Sequence, residues 1–218
     1  MGGRKALNKI CISNLDLCGS LISIRIGNGL IWYNNIVCNC TDDGIDIPLT
    51  ADLIKACLML ETFVTIKFRN EQFEYLIHGS ISKIELSGSP FIRVKVLNIF
   101  GNINNRVFLR HDVYLPATLS IDNKNTYFCT VSNISLGGIA FLLDKEIPCA
   151  TICEANVFLN ENNTIFAKGV ILRCSPLASL LEFSMQFTFM DEEDSNCLYS
   201  FLYSTNNSYN ALRAKYSN

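Results

Sequence analysis

Apolar and polar residues alternate in short stretches along the first hundred residues, with turn-forming residues between them. Leu21–Ile26 alternates, residues 27–29 supply a Gly-Asn-Gly turn, and apolar residues return over 30–37, which predicts a β-hairpin. The same kind of pattern predicts further strands over residues 62–68, 73–77, 81–86 and 91–99. A short helical pattern occurs over residues 51–60. Strands this closely spaced, with no long helix between them, predict a small antiparallel β-barrel.

The second half of the chain shows the same β pattern and then changes period. Its strand candidates are residues 113–120, 127–131, 139–143, 151–159, 165–174 and 183–189. Acidic residues at 191–194 precede apolar residues spaced three and four apart, which predicts a helix that runs through Leu202. Two asparagines at 206–207 are predicted to interrupt this helix. The predicted fold class is therefore mostly all-β, with two small antiparallel β-barrels, the second closed by a C-terminal helix.

A polar segment interrupts the strand pattern near the middle of the chain. Residues 101–105 read Gly-Asn-Ile-Asn-Asn, a composition that favours a flexible linker. We therefore predict one domain over residues 1–101 and a second domain over residues 102–218.

Composition and charge narrow the class of protein. The net charge is −2 and the pI is about 5.7, which argues against a general DNA- or RNA-binding protein, because such proteins present a broad basic face. No apolar run approaches the roughly 18–20 residues that span a bilayer, and the first residues lack the apolar stretch of a signal peptide. These observations predict a cytoplasmic protein without a transmembrane segment.

The residues that usually carry metal binding or catalysis are scattered along the chain. Ten cysteines include no Cys-x-x-Cys pair, and His78 and His111 lie far from paired cysteines, so we predict reduced thiols, no metal ion and no cofactor. The sequence lacks a Gly-x-Ser-x-Gly motif and a phosphate-binding loop, so we predict no enzyme activity and no catalytic residue. His111 is predicted to lie exposed at the end of a strand.

Two arginines four residues apart are the first candidates for ligand binding. Arg106 and Arg110 should lie on one side of the chain in either a helix or a strand, because a spacing of four suits both periods. In an extended chain they would stand ~13 Å apart at ~3.3 Å per residue. A guanidinium binds phosphate or the guanine O6/N7 edge through two parallel hydrogen bonds and stacks on purines. The pair indicates a ligand with phosphates and purines, although such pairs also occur on ordinary surfaces.

A second candidate motif, Asn133-x-Ser135-x-x-Gly138, follows about twenty residues later. Asn133 offers both an amide donor and a carbonyl acceptor to a guanine edge, and Ser135 can donate to phosphate or brace a loop. Gly138 tolerates positive φ and lets a ligand approach the backbone closely. Taken alone, this motif is more typical of a polar turn between two strands.

Together, the two motifs and the β-rich sequence around them resemble the PilZ domain, a family that binds the bacterial second messenger cyclic di-GMP. The resemblance covers residues 103–205. Residues 1–100 resemble the N-terminal β-domain of YcgR-like flagellar brake proteins, which precedes the PilZ domain in chains of about this size.

The resemblance implies a cyclic di-GMP site formed by Arg106, Arg110, Asn133, Ser135 and Gly138. The two arginines would hold phosphates and guanines, and the other three residues would form the opposing wall. It also implies that ligand binding reorients the N-terminal domain and acts through a protein partner, such as a flagellar motor component.

The chain departs from the family pattern at two positions, and two other functions stay open. Asn105 stands where many relatives have a basic residue, which leaves open whether one ligand or a stacked pair binds; Ser184 replaces a frequent glycine. One alternative is a PilZ-like scaffold that acts through protein contacts without any ligand. The other is an oligonucleotide-binding β-barrel, which would need several basic residues interleaved with aromatic ones on one sheet face; Tyr114, Tyr127 and Phe128 are aromatic, but the basic partners are missing.

Overall fold

A computed structural model describes residues 12, 15, 17–42, 44–56, 58–70, 72–121 and 125–216 of the chain. The chain divides into two compact units, Met1–Arg106 together with Asn207–Asn218, and Val107–Asn206. Within the described ranges, no helix is long and apolar enough to cross a membrane. The domain limits at residues 1–101 and 102–218 stay a prediction.

The first unit is an antiparallel sheet. Its described elements are β1 (Leu21–Ile26), β2 (Tyr33–Ile36), β3 (Asn39–Cys40), β4 (Gly44–Pro48), α1 (Ala51–Ile54), β5 (Phe63–Arg69), β6 (Phe73–Glu85) and β7 (Phe91–Ile103). The strand order is β2-β1-β5-β6-β7-β4-β3. A barrel was predicted here, but the described pairing leaves β2 and β3, which are four and two residues long, at the two edges. The predicted β class and the β1–β2 hairpin are confirmed.

Alternation along the strands places one face of the sheet in the core of the first unit. Ile22 and Ile24 on β1 pack with Val64 and Ile66 on β5 and with Ile77 on β6, and none of the five is more than 4% exposed. Successive side chains of a strand point to opposite faces, so the residues between these five apolar positions lie on the other face of the sheet, where polar side chains can form contacts.

Strands β6 and β7 are each 13 residues long, which is longer than the sequence pattern predicts. The predicted strands at 73–77 and 81–86 are one strand, because Gly79 continues β6 at an irregularity in the register. A Cβ on Gly79 would lie 2.5 Å from the carbonyl oxygen of Lys95, so glycine allows the two strands to approach closely. Residues 101–103, predicted as part of a flexible linker, instead continue β7 and pair with β6.

Trp32, the one tryptophan of the chain, lies between β1 and β2 in sequence. The Nζ atom of Lys67 is 3.6 Å from the centroid of its ring, and the guanidinium carbon of Arg25 is 4.8 Å from it. Cations are attracted to the face of an indole. Strands β1 and β5, which carry these two cations, therefore hold the ring in place.

The second unit is a closed six-stranded barrel. Its strands are β8 (His111–Ile121), β9 (Asn125–Ser135), β10 (Gly138–Leu143), β11 (Ile152–Phe158), β12 (Thr164–Leu177) and β13 (Leu180–Phe189). They close in the order β10-β13-β12-β11-β8-β9. Phe141 and Phe183 are fully buried in the core, with stacked rings whose centroids are 5.3 Å apart. The predicted second barrel is confirmed.

Helix α2 (Glu192–Tyr216) begins against this barrel. The Oδ1 atom of Asp191 accepts a hydrogen bond from the backbone N–H of Asp194 at 2.8 Å, as an N-cap does. The Oδ2 atom of Asp194 accepts from the N–H of Phe166 on β12 at 3.1 Å, which ties the first turn to the barrel. Leu198 is fully buried in the barrel core. The predicted closing helix is confirmed.

The predicted interruption of this helix at residues 206–207 is wrong, because α2 continues through both positions to Tyr216. An asparagine weakens a helix by at most about 0.7 kcal/mol, which is too little to end one. The sequence of α2 contains neither glycine nor proline, the two residues that end helices most strongly.

Eight cysteines lie within the described residues, and all eight are free thiols. Burial raises the pKa of Cys153 to about 11 and, with the neighbouring Cys153, raises the pKa of Cys129 to about 12. Both thiols therefore stay protonated at neutral pH. Among the residues that the structure describes, no group of three or more His, Cys, Asp or Glu side chains is placed to hold a metal ion.

Candidate functional site

The hairpin of β9 and β10 carries the second motif. Two residues form its turn, and Ser135 pairs with Gly138 across it. The Oγ of Ser135 donates a hydrogen bond to the carbonyl oxygen of Gly138 at 3.2 Å, which braces the turn. Ile134 packs into the barrel core, so its neighbours Asn133 and Ser135 face away from the core.

Gly138 begins β10 where no side chain fits. It pairs with Ser135 on β9 and with Gln186 on β13. A Cβ at this position would lie 2.2 Å from the carbonyl oxygen of Met185, and the φ of +158° also favours glycine. The last residue of the motif therefore lets β10 and β13 approach each other directly beside the turn.

Arg110 directly precedes β8, and the first residue of β8, His111, pairs with Ile134 on β9. Continuing this register by one residue places Arg110 across from Ser135. The second arginine and the Asn-x-Ser motif therefore lie at the same end of the barrel. The prediction of an exposed His111 is wrong: this residue is 8% exposed, because it joins the ladder to β9 and lines a cavity.

The apolar residues between the two arginines line this cavity, which has a volume of about 220 Å³. Phe108 lies against the β9–β10 turn, where a Cβ on Gly137 would come within 2.8 Å of its ring. Further lining side chains are Val107, Leu109, Leu136, Tyr199, Leu202 and Tyr203. The segment of the first motif and the turn of the second motif are thus in contact within the second unit.

Arg106 is the last residue of the first unit, and its guanidinium is bound there by an acid. The Nη1 of Arg106 donates to the Oε2 of Glu74 on β6, and the Oε1 of Glu74 accepts from the Nε of Arg69 at 3.1 Å. Burial acts to raise the pKa of Glu74, but the two arginines together lower it below its ordinary value. The carboxylate is therefore ionised at neutral pH.

The segment at residues 104–110 is neither helix nor strand and bends at residues 107–108. In such a segment, a spacing of four residues does not by itself place Arg106 and Arg110 on one side of the chain. The backbone N–H of Asn104 donates to the carbonyl oxygen of Gln72 at 2.7 Å, and the Oδ1 of Asn104 accepts from the N–H of Arg106 at 3.4 Å. Asn104 thereby holds the start of the motif on the β5–β6 turn.

The structure brings together four of the predicted site residues at one end of the barrel: Arg110, Asn133, Ser135 and Gly138. Arg106 belongs to the other unit and is paired with Glu74. That these five residues bind a ligand stays a prediction. Sequence reasoning missed Phe108 and Glu74. The apolar run between the arginines was a visible signal for Phe108, whereas Glu74 lies 32 residues from its partner and gave none.

Comparisons with known proteins identify the domain that carries both motifs. The family model described as "PilZ domain" matches residues 104–204, a range that contains both motifs. No curated protein matches the chain. The matched range begins at Asn104, whose side chain accepts a hydrogen bond from the backbone N–H of Arg106.

Three solved structures are similar over most of the chain. They are the Bacillus subtilis inhibitor of motility MotI/DgrA (15% identity, TM-score 0.44, 87% of this chain and 98% of that one), Escherichia coli YcgR in complex with c-di-GMP (13%, 0.48, 90% and 88%), and K. pneumonia MrkH in complex with c-di-GMP (13%, 0.47, 88% and 89%). Likeness at this level carries no functional argument, and the assignment depends on the domain match. The chain contains a PilZ domain at residues 104–204.

Proposed function

We propose that this chain is a receptor that binds cyclic di-GMP and has no catalytic activity of its own. The observation that carries the proposal is the convergence of Arg110 with Asn133, Ser135 and Gly138 at one end of the barrel. These residues lie within the matched PilZ domain, in the order and spacing of the motifs of that family.

Each residue has a role that its chemistry allows. Arg106 and Arg110 would bind phosphate oxygens or a guanine edge through paired hydrogen bonds, and their planes would stack on purines. Asn133, which faces away from the core, would address a guanine edge. Ser135, which is 6% exposed, donates its proton to the carbonyl oxygen of Gly138 and would brace the turn beside the ligand. Gly138 would keep β10 close to β13 at the same place.

The neighbouring cavity covers only part of such a ligand. Its volume of about 220 Å³ is smaller than the 300 Å³ or so at which ligand pockets usually begin. A cyclic dinucleotide would therefore lie mainly on the open surface beside the β9–β10 turn. The apolar ring of Phe108, which is 46% exposed, is available there to pack against one base.

Titration calorimetry of the purified chain with cyclic di-GMP tests this proposal. We expect saturable binding, and the stoichiometry gives the number of bound nucleotides. GTP is the matched control, because it has guanine and phosphates but not the two-fold cyclic arrangement. Absence of both binding heat and a thermal shift at high ligand concentration would contradict the proposal and leave a ligand-independent interaction scaffold.

We propose further that ligand binding changes the arrangement of the two domains, taken as residues 1–101 and 102–218, and so regulates motility or a related surface behaviour through a protein partner. Support comes from chain position: Arg106 ends the first compact unit and Arg110 lies in the second, so a ligand held by both arginines couples the units. The change cannot exceed the difference in ligand affinity between the two arrangements.

Small-angle X-ray scattering with and without saturating cyclic di-GMP tests the change in arrangement. We expect the radius of gyration and the distance distribution to change on ligand addition. Superimposable profiles at a ligand concentration that calorimetry shows to be saturating would rule the change out while leaving the receptor function intact. The proposed action on a flagellar motor component, which depends on this change, would then be excluded as well.

A further inference from the structure

Glu74 is placed to control whether Arg106 is available to a ligand. It is the second residue of β6 and lies directly across the ladder from Arg69 on β5. One carboxylate oxygen accepts from Arg69 and the other accepts from Arg106. A single acid therefore binds two guanidinium groups, one of which belongs to the arginine motif.

The ion pair with Arg106 is not needed to neutralise Glu74. Arg69 is the cross-strand neighbour of Glu74 and already provides one full positive charge at 3.1 Å. Arg106 approaches from an irregular segment 32 residues later, where Asn104 fixes its backbone. The contact between Glu74 and Arg106 therefore contributes more to holding Arg106 in place than to stabilising the sheet.

The same contact occupies the group that a phosphate would bind. A guanidinium in contact with a carboxylate attracts a second anion less strongly, because the charges of the ion pair largely cancel. The side chain of Arg106 is 35% exposed, so a ligand can still reach it and exchange with the carboxylate.

We propose that Glu74 is an internal competitor of the ligand: its carboxylate takes the place of a phosphate on Arg106 and so sets the binding affinity. This inference rests on the proposed function. It makes Glu74 a positioning residue that acts through Arg106, with an effect on ligand binding opposite in sign to that of the arginines.

Calorimetry of Glu74→Gln with cyclic di-GMP tests the inference. Glutamine keeps the size of the side chain but removes its charge. We expect binding to tighten about two- to five-fold, which corresponds to the strength of a partly exposed ion pair. A side chain that only supported the fold would produce weaker binding or no change. Thermal unfolding of the variant confirms that the protein titrated is folded.

Two further variants separate the contact from the general loss of a negative charge. Glu85→Gln removes an acid from the opposite end of β6, where Glu85 pairs with Lys83, and should leave the affinity unchanged. Glu74→Asp keeps the charge but withdraws the carboxylate by one methylene from Arg106, so we expect tighter binding here too, by less than in Glu74→Gln.

Each outcome supports or overturns the inference. Tightening in both Glu74 variants with no change in Glu85→Gln supports it. Equal tightening in Glu74→Gln and Glu85→Gln would show an effect of net charge alone and overturn it. Wild-type affinity in Glu74→Asp would show that the reach of the carboxylate to Arg106 does not set the affinity, which also overturns it. Unchanged or weaker binding in Glu74→Gln overturns the competitor role but not the receptor function. Absence of binding in every variant and in the wild type overturns both.

Discussion

The Gly138→Ala variant should lose about 3 kcal/mol of unfolding free energy, the upper part of the range for overpacked positions. Its new Cβ would lie 2.2 Å from the carbonyl oxygen of Met185 and 3.2 Å from the Cα of Gln186. Both atoms belong to the backbone of β13, so they cannot rotate away as a side chain would. Relief of the clash requires β10 and β13 to separate beside the Ser135 turn. Urea unfolding followed by far-UV circular dichroism measures the loss.

The adjacent glycine provides the matched control for this prediction. A Cβ on Gly137 would meet the ring carbons of Phe108 at 2.8 and 3.2 Å, and this ring is a partly exposed side chain that can move. Gly137→Ala should therefore lose no more than about 1 kcal/mol. Equal unfolding midpoints for the two variants would show that the close approach of β10 and β13 is not what requires glycine at position 138.

The Arg110→Ala variant should bind cyclic di-GMP on the order of 100-fold more weakly, a loss of about 3 kcal/mol. The variant removes a charge-assisted pair of hydrogen bonds together with a stacking plane, and water would replace them only in part. Arg110 directly precedes His111, which pairs with Ile134 in the Asn-x-Ser motif, so its removal takes a cation from the same end of the barrel. Titration calorimetry on the folded variant measures the change.

Two control variants define what Arg110 contributes. Arg110→Lys keeps the charge but loses the planar fork, so its affinity should lie between those of the wild type and Arg110→Ala. Arg173→Ala removes an exposed arginine from β12 of the same barrel and should bind as the wild type does. Wild-type affinity in Arg110→Ala would exclude this arginine from the site, even if the chain binds the nucleotide.

Most of the β-strands could be predicted because their signals are local. Alternation in the barrel and the acidic start of α2 are each contained in about ten residues, and both predictions are confirmed. The errors arose where a distant strand decides the outcome. The predicted break between residues 77 and 81 is absent because Gly79 lets β6 run close to Lys95 on β7, and residues 101–103, predicted as a linker, pair with β6.

The candidate site shows the same limit. The motif residues Arg110, Asn133 and Ser135 could be named from the sequence because their types and spacing carry information, and the β8–β9–β10 ladder brings them to one end of the barrel. The pairing of Arg106 with Glu74 depends on a contact between residues 32 positions apart, and no local sequence pattern indicates which acid pairs with a given arginine. Likewise, the burial of His111 depends on the ladder and the cavity beside it.

The location of Trp32 makes the two units optically different. The chain has one indole, and it lies in the first unit with Lys67 and Arg25 at its face, so intrinsic fluorescence excited near the red edge of the indole band arises from the first unit alone. The barrel, whose aromatic core is Phe141 and Phe183, contributes no emission of this kind. The protein therefore carries a built-in, unlabelled fluorophore that reports on one of its two halves.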